Sequence, residues 1–209
     1  IDTAIHPDTY STTHRHLGWI TIDPPPVAQS LMDHIQSLQQ WERDLLSGLQ
    51  LIDHTLEELY HVIRTHPLLI ASDGSAKDNQ ASFGWILSTA AGQCLAQCNG
   101  PVYGYKTSSY CAEGYGILSV CRFLHHLRET QGITPDISGY CDNQSMVGKS
   151  ELHPDLSSIY PNTTLDSDWD VLIEIWTTLA SCPDNINREQ MTRAAVRSSF
   201  FMLEYFIFI

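Results

Sequence analysis

The stretch Leu69-Ile70-Ala71-Ser72-Asp73-Gly74-Ser75 is a short apolar run that ends on a carboxylate followed by glycine and serine. This pattern predicts a buried strand that breaks into a turn, with Asp73 at its end. A second run, Ile137-Ser138-Gly139-Tyr140-Cys141-Asp142-Asn143, has the same form and ends at Asp142. The sequence therefore predicts two strands that each present an acid at the carboxyl end.

The segment between these runs, residues 110–130, is predicted to be a helix. Its apolar residues recur at helical spacing and define one buried face: Ile117, Val120, Cys121, Leu124 and Leu127. Glu113 lies four residues before Ile117, so we expect it on the same face, within the first turn. Because ligands gather at the carboxyl ends of strands in open α/β sheets, Glu113 is expected to meet Asp73 and Asp142 there.

The three acids Asp73, Glu113 and Asp142 are candidate metal ligands. Carboxylates that converge in one place resist ionising together unless a cation neutralises them. Oxygen ligands with no histidine or cysteine beside them suit Mg²⁺ or Mn²⁺. The alternative is that the acids are unrelated, two of them in turns and one as a charge at a helix N-terminus.

Four short motifs, taken in order, resemble ribonuclease H, specifically the ribonuclease H-like domain of retroelement reverse transcriptases of LTR or non-LTR type. The motifs are Asp73-Gly74-Ser75, Phe83-Gly84-Trp85, Ser109-Tyr110-Cys111-Ala112-Glu113 and Cys141-Asp142-Asn143. The resemblance implies an α/β fold with a mixed sheet, an antiparallel three-strand meander plus parallel strands, flanked by helices. It also implies that Asp73, Glu113 and Asp142 are catalytic and bind two Mg²⁺ (or Mn²⁺) ions that hydrolyse the RNA strand of an RNA–DNA hybrid.

The same resemblance implies substrate contacts beside the acids. Gly74 and Ser75 would offer backbone or hydroxyl hydrogen bonds to the hybrid, and Asn143 would reach a 2′-OH or a minor-groove base edge. The implied partners are the RNA–DNA hybrid and the reverse transcriptase domain of the same polyprotein. One alternative is a catalytically inactive ribonuclease H-fold remnant that serves as a structural or interaction module. Another alternative is a related metal-dependent DNA nuclease or integrase. The residues around the acids, Asp-Gly-Ser and Tyr-Cys-Ala-Glu, favour ribonuclease H over this alternative.

Between the first acid and the central helix, the sequence predicts an antiparallel meander. The loop Lys77-Asp78-Asn79-Gln80 leads into a strand over residues 82–89, and Ala91-Gly92-Gln93 predicts a hairpin turn into residues 94–98. A third strand is predicted near residues 102–105. The helix then crosses over to a strand that ends at Asp142 and runs parallel to the first.

The predicted domain organisation has three parts. Residues 1–66 comprise an N-terminal linker and a helical connection. The linker, residues 1–26, ends in Pro24-Pro25-Pro26, and the helical connection follows it. Their apolar spacing predicts one amphipathic helix over residues 28–50 and a shorter one over 53–64. Residues 67–180 form the ribonuclease H-like domain.

The third part, residues 181–209, is an atypical tail. We interpret it as truncated or frameshifted, and the alternative is that its apolar last ten residues are a terminal strand. The helix that opens at residues 166–170 resembles the last helix before the family's final strand. The family then has a loop histidine and a fourth metal-binding acid, which this tail lacks. We therefore expect the chain to be a poor or inactive nuclease despite its three acids.

The charge of the chain is unusual for a protein that contacts nucleic acid. The formal net charge is −13, whereas phosphate binding depends largely on lysine and arginine. Residues 67–150 carry five basic and six acidic residues, while residues 1–66 and 151–209 each carry nine acidic and three basic ones. Because the excess acid lies in the flanks, we expect weak affinity for nucleic acid unless a neighbouring domain contributes.

The cysteine pattern and hydropathy bear on the compartment. The six cysteines form no paired CxxC motifs, which favours reduced thiols packed as small hydrophobic groups. No apolar run approaches the roughly 18 residues that a membrane span needs. We expect a soluble, intracellular protein, cytoplasmic or nuclear, with no membrane partner.

Overall fold

The protein contains both strands and helices in the computed structural model, which describes residues 5–6, 11–14, 18–21, 30–104, 108–151 and 168–181. The strands in these ranges are β1 Ile5–His6, β2 Ser11–His14, β3 Gly18–Thr21, β4 Gln50–Leu51, β5 Leu68–Lys77, β6 Gln80–Thr89, β7 Cys94–Pro101 and β8 Ile137–Cys141. The helices are α1 Leu31–Ser37, α2 Gln40–Leu46, α3 Leu56–Thr65, α4 Ser109–Gln131, α5 Gln144–Glu151 and α6 Trp169–Ser181.

A five-stranded mixed sheet with the strand order β4-β7-β6-β5-β8 forms the centre of the fold. Strands β5, β6 and β7 form an antiparallel meander, and β8 pairs with β5 in parallel. The long helix α4 connects β7 to β8 and packs against β5 and β6. This confirms the predicted fold class, a three-strand meander extended by a parallel strand and flanked by helices.

Strand β5 continues past the point where the sequence predicted a turn. β6 pairs with β5 along its whole length, so Asp73 lies opposite Gly84 within the ladder. The turn instead comes at Asp78 and Asn79, whose φ angles of 53° and 61° are those of a two-residue hairpin loop. The predicted break at Asp73 is therefore wrong, because an apolar run shows where a strand is buried and not how far its partner reaches.

Strand β7 is longer than predicted. The hairpin turn before it is confirmed, with Gly92 at a φ of +86°, and β7 extends to Pro101. The separate strand predicted near residues 102–105 is not found over Val102–Gly104, although the Val102 N–H still donates to the Ala81 carbonyl at 2.9 Å. Tyr105 lies outside the described residues.

The single helix predicted over residues 28–50 is wrong. Two short helices, α1 and α2, occupy this region, separated by extended backbone at Leu38 and Gln39. The chain then passes close to β7, since a Cβ at Gly48 would lie 1.9 Å from the Asn99 carbonyl oxygen. The second predicted helix is confirmed as α3, whose first turn has a capping box between Thr55 and Glu58.

The predicted linker, residues 1–26, contains strands β1, β2 and β3 in its described parts. They pair antiparallel as a separate three-stranded sheet. The assignment of residues 1–26 as a linker between domains stays a prediction.

The N-terminal helices pack into the same core as the sheet. Their buried residues Leu31, Ile35 and Leu45 belong to one apolar cluster with the buried residues of α4 and the sheet. β4 pairs with β7 at the edge of the sheet. The predicted division at residue 66 stays a prediction, and within the described ranges the core extends across it.

A buried hydrogen-bond chain ties this N-terminal part to the middle of α4. The Trp85 Nε1–H donates to Ser119 Oγ at 2.9 Å, and Ser119 Oγ donates to the Leu45 carbonyl at 3.2 Å. Sheet, central helix and α2 are thereby held at one point. Such a shared polar contact fixes the register of three packed elements.

Helix α6 covers the outer side of α4. Its buried residues Val171, Leu172 and Ile175 confirm the helix that the sequence predicted here. The predicted tail, residues 181–209, lies outside the described residues except for Ser181, which ends α6. Of the helices in the described ranges, none has the combined length and apolar character that crossing a membrane requires.

Candidate metal centre

Asp73 and Asp142 lie side by side at the carboxyl end of the parallel strand pair. Ser72 and Cys141 form the last pair between β5 and β8, and each acid follows one of them directly. Adjacent strands lie about 4.8 Å apart. Asp142 is exposed and Asp73 is half-buried, so one side of this edge faces solvent.

Helix α4 brings Glu113 to the same edge. The helix begins after Ser108, whose hydroxyl accepts from the Cys111 N–H at 3.0 Å, and its first turn lies directly on β5. A Cβ at Gly74 would lie 2.3 Å from the Glu113 nitrogen, so only glycine permits this approach. The Ser109 hydroxyl, which donates to the Gly74 carbonyl at 3.3 Å, closes the contact.

Glu113, Cys141 and Asp142 form a compact cluster of potential metal ligands. One carboxylate oxygen of each acid and the Cys141 sulfur all lie within 4.8 Å of one another. Glu113 is only 3 % exposed, and its Oε2 accepts from the Cys141 thiol at 3.3 Å. Asp73 is outside this cluster, and its Oδ1 accepts from the Gly74 N–H at 2.8 Å.

The electrostatics of the cluster favour a bound cation. Burial raises the pKa of Glu113 to about 8, and the neighbouring charges of Asp142 and Asp73 act in the same direction. Burial likewise raises the pKa of the Cys141 thiol to about 12, with the Glu113 charge as the second cause. A buried carboxyl group among like charges is a poor anion by itself and a good ligand for a positive ion.

The donor set fits a divalent metal, with one difference from the sequence expectation. The oxygens of Glu113 and Asp142 suit Mg²⁺ or Mn²⁺. The expectation that no cysteine stands beside the acids is wrong, because Cys141 belongs to the cluster. Side chains alternate between the faces of a strand, which separates residues 141 and 142, but β8 ends at Cys141 and frees Asp142 from that alternation.

The predicted substrate-binding residues surround this edge. Ser75 is exposed, with its hydroxyl 3.3 Å from that of Ser82. Asn143 begins α5, where its side-chain oxygen accepts from the Met146 N–H at 3.0 Å. Gly74 is buried, and its N–H and carbonyl already have partners in Asp73 and Ser109. Their roles in binding substrate stay predictions.

Two acidic residues at the start of α6, Asp168 and Asp170, lie near Cys111 in the first turn of α4. Cys111, two residues before Glu113 in this turn, is buried. Its pKa is raised to about 12, first by burial and then by Asp168 and Asp170 at the start of α6. Lys149, which the sequence analysis did not identify as a site residue, brings a positive charge to the same turn. Its ammonium group is 5.7 Å from the centre of the Tyr110 ring.

Comparisons with known proteins found structural neighbours only. Neither a protein-family model nor a curated protein matches the sequence. The N-terminal ribonuclease H domain of a Mycobacterium tuberculosis protein has a TM-score of 0.39 and 14 % identity over 56 % of this chain and 76 % of that one. Ribonuclease H1 of the archaeon Halobacterium salinarum has a TM-score of 0.36 and 18 % identity, covering 54 % and 78 %.

A third neighbour is LC11-RNase H1, isolated from compost and solved in complex with an RNA/DNA hybrid. It has a TM-score of 0.38 and 17 % identity, covering 61 % of this chain and 90 % of that one. We derive neither a family nor an activity from likenesses of this size.

Proposed function

We propose that this protein hydrolyses the RNA strand of an RNA–DNA hybrid in a metal-dependent reaction of the ribonuclease H type. The observation that carries the proposal is the buried Glu113 carboxyl beside Asp142, at the edge where Asp73 follows the parallel strand pair. The order of the four sequence motifs supports the same reaction. A site for catalysis of phosphoryl transfer needs clustered carboxylates that a cation can bridge.

Asp73, Glu113 and Asp142 are the residues that would hold two Mg²⁺ or Mn²⁺ ions. When bound, such ions activate the attacking water and stabilise the leaving 3′ oxygen of the phosphodiester. The Gly74 N–H orients the Asp73 carboxylate, and the Cys141 thiol orients that of Glu113. Asp142 is the exposed member, on the side from which a phosphate group would approach.

The neighbouring polar groups would position the hybrid. The exposed Ser75 hydroxyl can donate to a phosphate or sugar oxygen. Asn143 uses its side-chain oxygen to cap α5, which leaves its amide nitrogen as the group to reach a 2′-OH. A 2′-OH contact is how a protein distinguishes RNA from DNA at a given position.

We also propose that the chain belongs to a retroelement reverse transcriptase, on the strength of the motif resemblance alone. A net charge of −13 disfavours tight binding of nucleic acid by this chain by itself. A polymerase domain on the same polypeptide would supply the missing affinity. The transcript that surrounds codon 180 and the region upstream tests this context, because the proposal requires a polymerase reading frame there.

The test of activity is an assay with a labelled RNA–DNA hybrid in the presence of Mg²⁺ or Mn²⁺. We expect slow cleavage of the RNA strand, because no residue of this chain is assigned to the fourth metal-binding acid that the resemblance implies. The products should carry a 3′-OH, and double-stranded DNA should not be cleaved. The matched control is Asp73→Asn, which keeps the size of the side chain and removes its charge.

Two results would count against the proposal. One is cleavage that persists in the Asp73→Asn variant, which would indicate a contaminating nuclease or another site. The other is the absence of cleavage by the folded protein in both Mg²⁺ and Mn²⁺. That result would favour the alternative of a catalytically inactive remnant.

A further inference from the structure

The Cys141 thiol is the member of the ligand cluster that the proposed reaction does not require as a ligand. It is 5 % exposed, at the end of β8, and its sulfur lies 3.3 Å from Glu113 Oε2. The same sulfur is within 4.8 Å of an Asp142 carboxylate oxygen. A thiol in that position can do more than orient Glu113.

The separation of sulfur and oxygen matches that of two ligands on one ion. With metal–sulfur and metal–oxygen distances of about 2.3 Å and about 2.1 Å, two ligands of a tetrahedral ion lie roughly 3.6 Å apart. The observed 3.3 Å is within a few tenths of an ångström of this value. Replacing the thiol proton by a metal ion therefore requires little movement of either side chain.

The surroundings of Glu113 point independently to a cation. Its buried carboxyl group has Asp142 and Asp73 as its charged neighbours, and both are negative. Within the ranges that the structure describes, no lysine, arginine or histidine pairs with it, and the donor to it is the Cys141 thiol. Among the described residues, Glu113 therefore has the Cys141 thiol beside it where other buried acids have a positively charged partner.

We propose that Glu113, Cys141 and Asp142 form a binding site for a thiophilic divalent cation, Zn²⁺ or Cd²⁺, with the Cys141 sulfur as a direct ligand. Sulfur ligands select such ions, whereas Mg²⁺ takes oxygen ligands. On binding, the S–H bond breaks, a sulfur–metal bond forms, and the proton passes to the solvent. The carboxylates supply the oxygen ligands.

This site shares Glu113 and Asp142 with the proposed catalytic centre. The two occupancies therefore exclude each other, and a thiophilic ion would inhibit the Mg²⁺-dependent hydrolysis. This regulatory consequence rests on the proposed function, whereas the ligand assignment does not. The two are therefore tested separately.

The ligand test is a titration of the folded chain with Cd²⁺, followed by the ultraviolet charge-transfer absorption of a cadmium–thiolate bond. We expect the band at one equivalent in the unaltered protein and in Asp73→Asn, and its loss in Cys141→Ser and in Glu113→Gln. Cys94→Ser, on β7 and outside the cluster, is the matched cysteine control and keeps the band. Calorimetry should show at least about tenfold weaker Cd²⁺ binding by Cys141→Ser, as expected for a lost ligand.

Cadmium NMR of the unaltered protein is a second measurement, because the chemical shift distinguishes sulfur from all-oxygen ligation even where a variant fails to fold. An unchanged band in Cys141→Ser, or a shift typical of oxygen ligands only, would overturn the assignment. In the hydrolysis assay, Cd²⁺ should inhibit the unaltered protein at lower concentration than Cys141→Ser. If no variant hydrolyses the hybrid, the proposed function fails while the absorption band still decides the ligation.

Discussion

The two ends of helix α4 bury acidic groups in opposite ways. Near its C-terminal end, Glu42 of α2 is 7 % exposed and pairs with Arg122 at 3.2 Å and with His126 at 2.8 Å. Near its N-terminal end, Glu113 is equally buried, but its neighbours are two further acids and a thiol. The first acid has a cationic partner in Arg122, whereas within the described residues no positive charge pairs with the second.

The contrast separates an acid that stabilises the fold from a candidate metal ligand. Burial of a carboxylate is expensive unless it is paired, so the partners of Glu42 explain its position in the fold. Arg122 extends the network to Glu174 of α6 and lies 5.1 Å from the Trp41 ring. No such pairing is found for Glu113 within the described residues, and its burial beside Asp142 is the feature that the proposed metal site would account for.

We expect the substitution Glu113→Gln to reduce the rate of the proposed hydrolysis more than the other substitutions change stability. This change removes one proposed carboxylate ligand, and we expect the rate of the proposed reaction to fall roughly a thousandfold, equivalent to about 4 kcal/mol of lost charge stabilisation. Single-turnover cleavage of the labelled hybrid measures it. The control is Glu42→Gln, whose partners Arg122 and His126 lie roughly 14 to 20 Å from Glu113 along α4; this variant should retain the rate within about threefold. Equal losses in both variants would remove the distinction between the two ends.

The second effect concerns stability at the other end of the helix. Glu42→Ala leaves Arg122 and His126 without their buried acid, and we expect the free energy of unfolding to fall by about 3 kcal/mol. Urea unfolding measures the change. Glu174→Ala removes the more exposed acid of the same network and should lower the free energy of unfolding by less than about 1 kcal/mol. A loss as small for Glu42→Ala would show that its pairing does not stabilise the fold.

The third effect is a pH dependence of the metal-free protein. Burial raises the pKa of Glu113 in the folded state from 4.5 to about 8, so its contribution to stability is fully present below about pH 4.5 and is lost progressively as the pH rises from there through about 8. We expect a fall in the free energy of unfolding of about 2 kcal/mol between about pH 6.5 and about pH 8.5.

Thermal or urea unfolding in a chelator, compared with Glu113→Gln, isolates this contribution. The variant should show a flatter profile over the same range, and added divalent metal should flatten that of the unaltered protein. Burial lowers the pKa values of His125 and His126, so their effect has the opposite sign, a loss of stability as the pH falls below about 6.5. A profile that is unchanged in Glu113→Gln would contradict the electrostatic account.

The smallest expected effect is that of the helix cap. Ser108→Ala removes the hydroxyl that accepts from the Cys111 N–H, and we expect a loss of about 1 kcal/mol of stability. Thr130→Ala near the other end of α4, where the hydroxyl donates back to the His126 carbonyl, should change stability by only a few tenths of a kcal/mol. Unfolding midpoints of the two variants, measured side by side, check the contrast.

The parts of the fold that sequence could predict are those with a periodic pattern of their own. The apolar spacing of α4 and α6 and the hairpin at Gly92 are local properties, and the structure confirms them. The extent of β5 and the break between α1 and α2 depend on partners distant in sequence. β6 extends β5 beyond Asp73, and packing on α4 and β7 divides the N-terminal helix.

The candidate site follows the same rule. The positions of Glu113 and Asp142 could be inferred from a helix face and a strand end, and the structure brings the two together. Cys141 could not, because a buried cysteine in a strand has the same pattern as any small apolar residue. Its proximity to Glu113 depends on where β8 stops. Asp73 lies beside the cluster and outside it, since β5 continues in the ladder.

The hydrogen-bond chain through Ser119 has a practical consequence for dividing the protein into pieces. A fragment that starts at residue 67 would lose the Leu45 carbonyl to which Ser119 donates and the acid that pairs with Arg122. It would also uncover part of the β7 edge, where β4 pairs, and open sheet edges promote aggregation. The shortest fragment that keeps the described core therefore begins near Ser30.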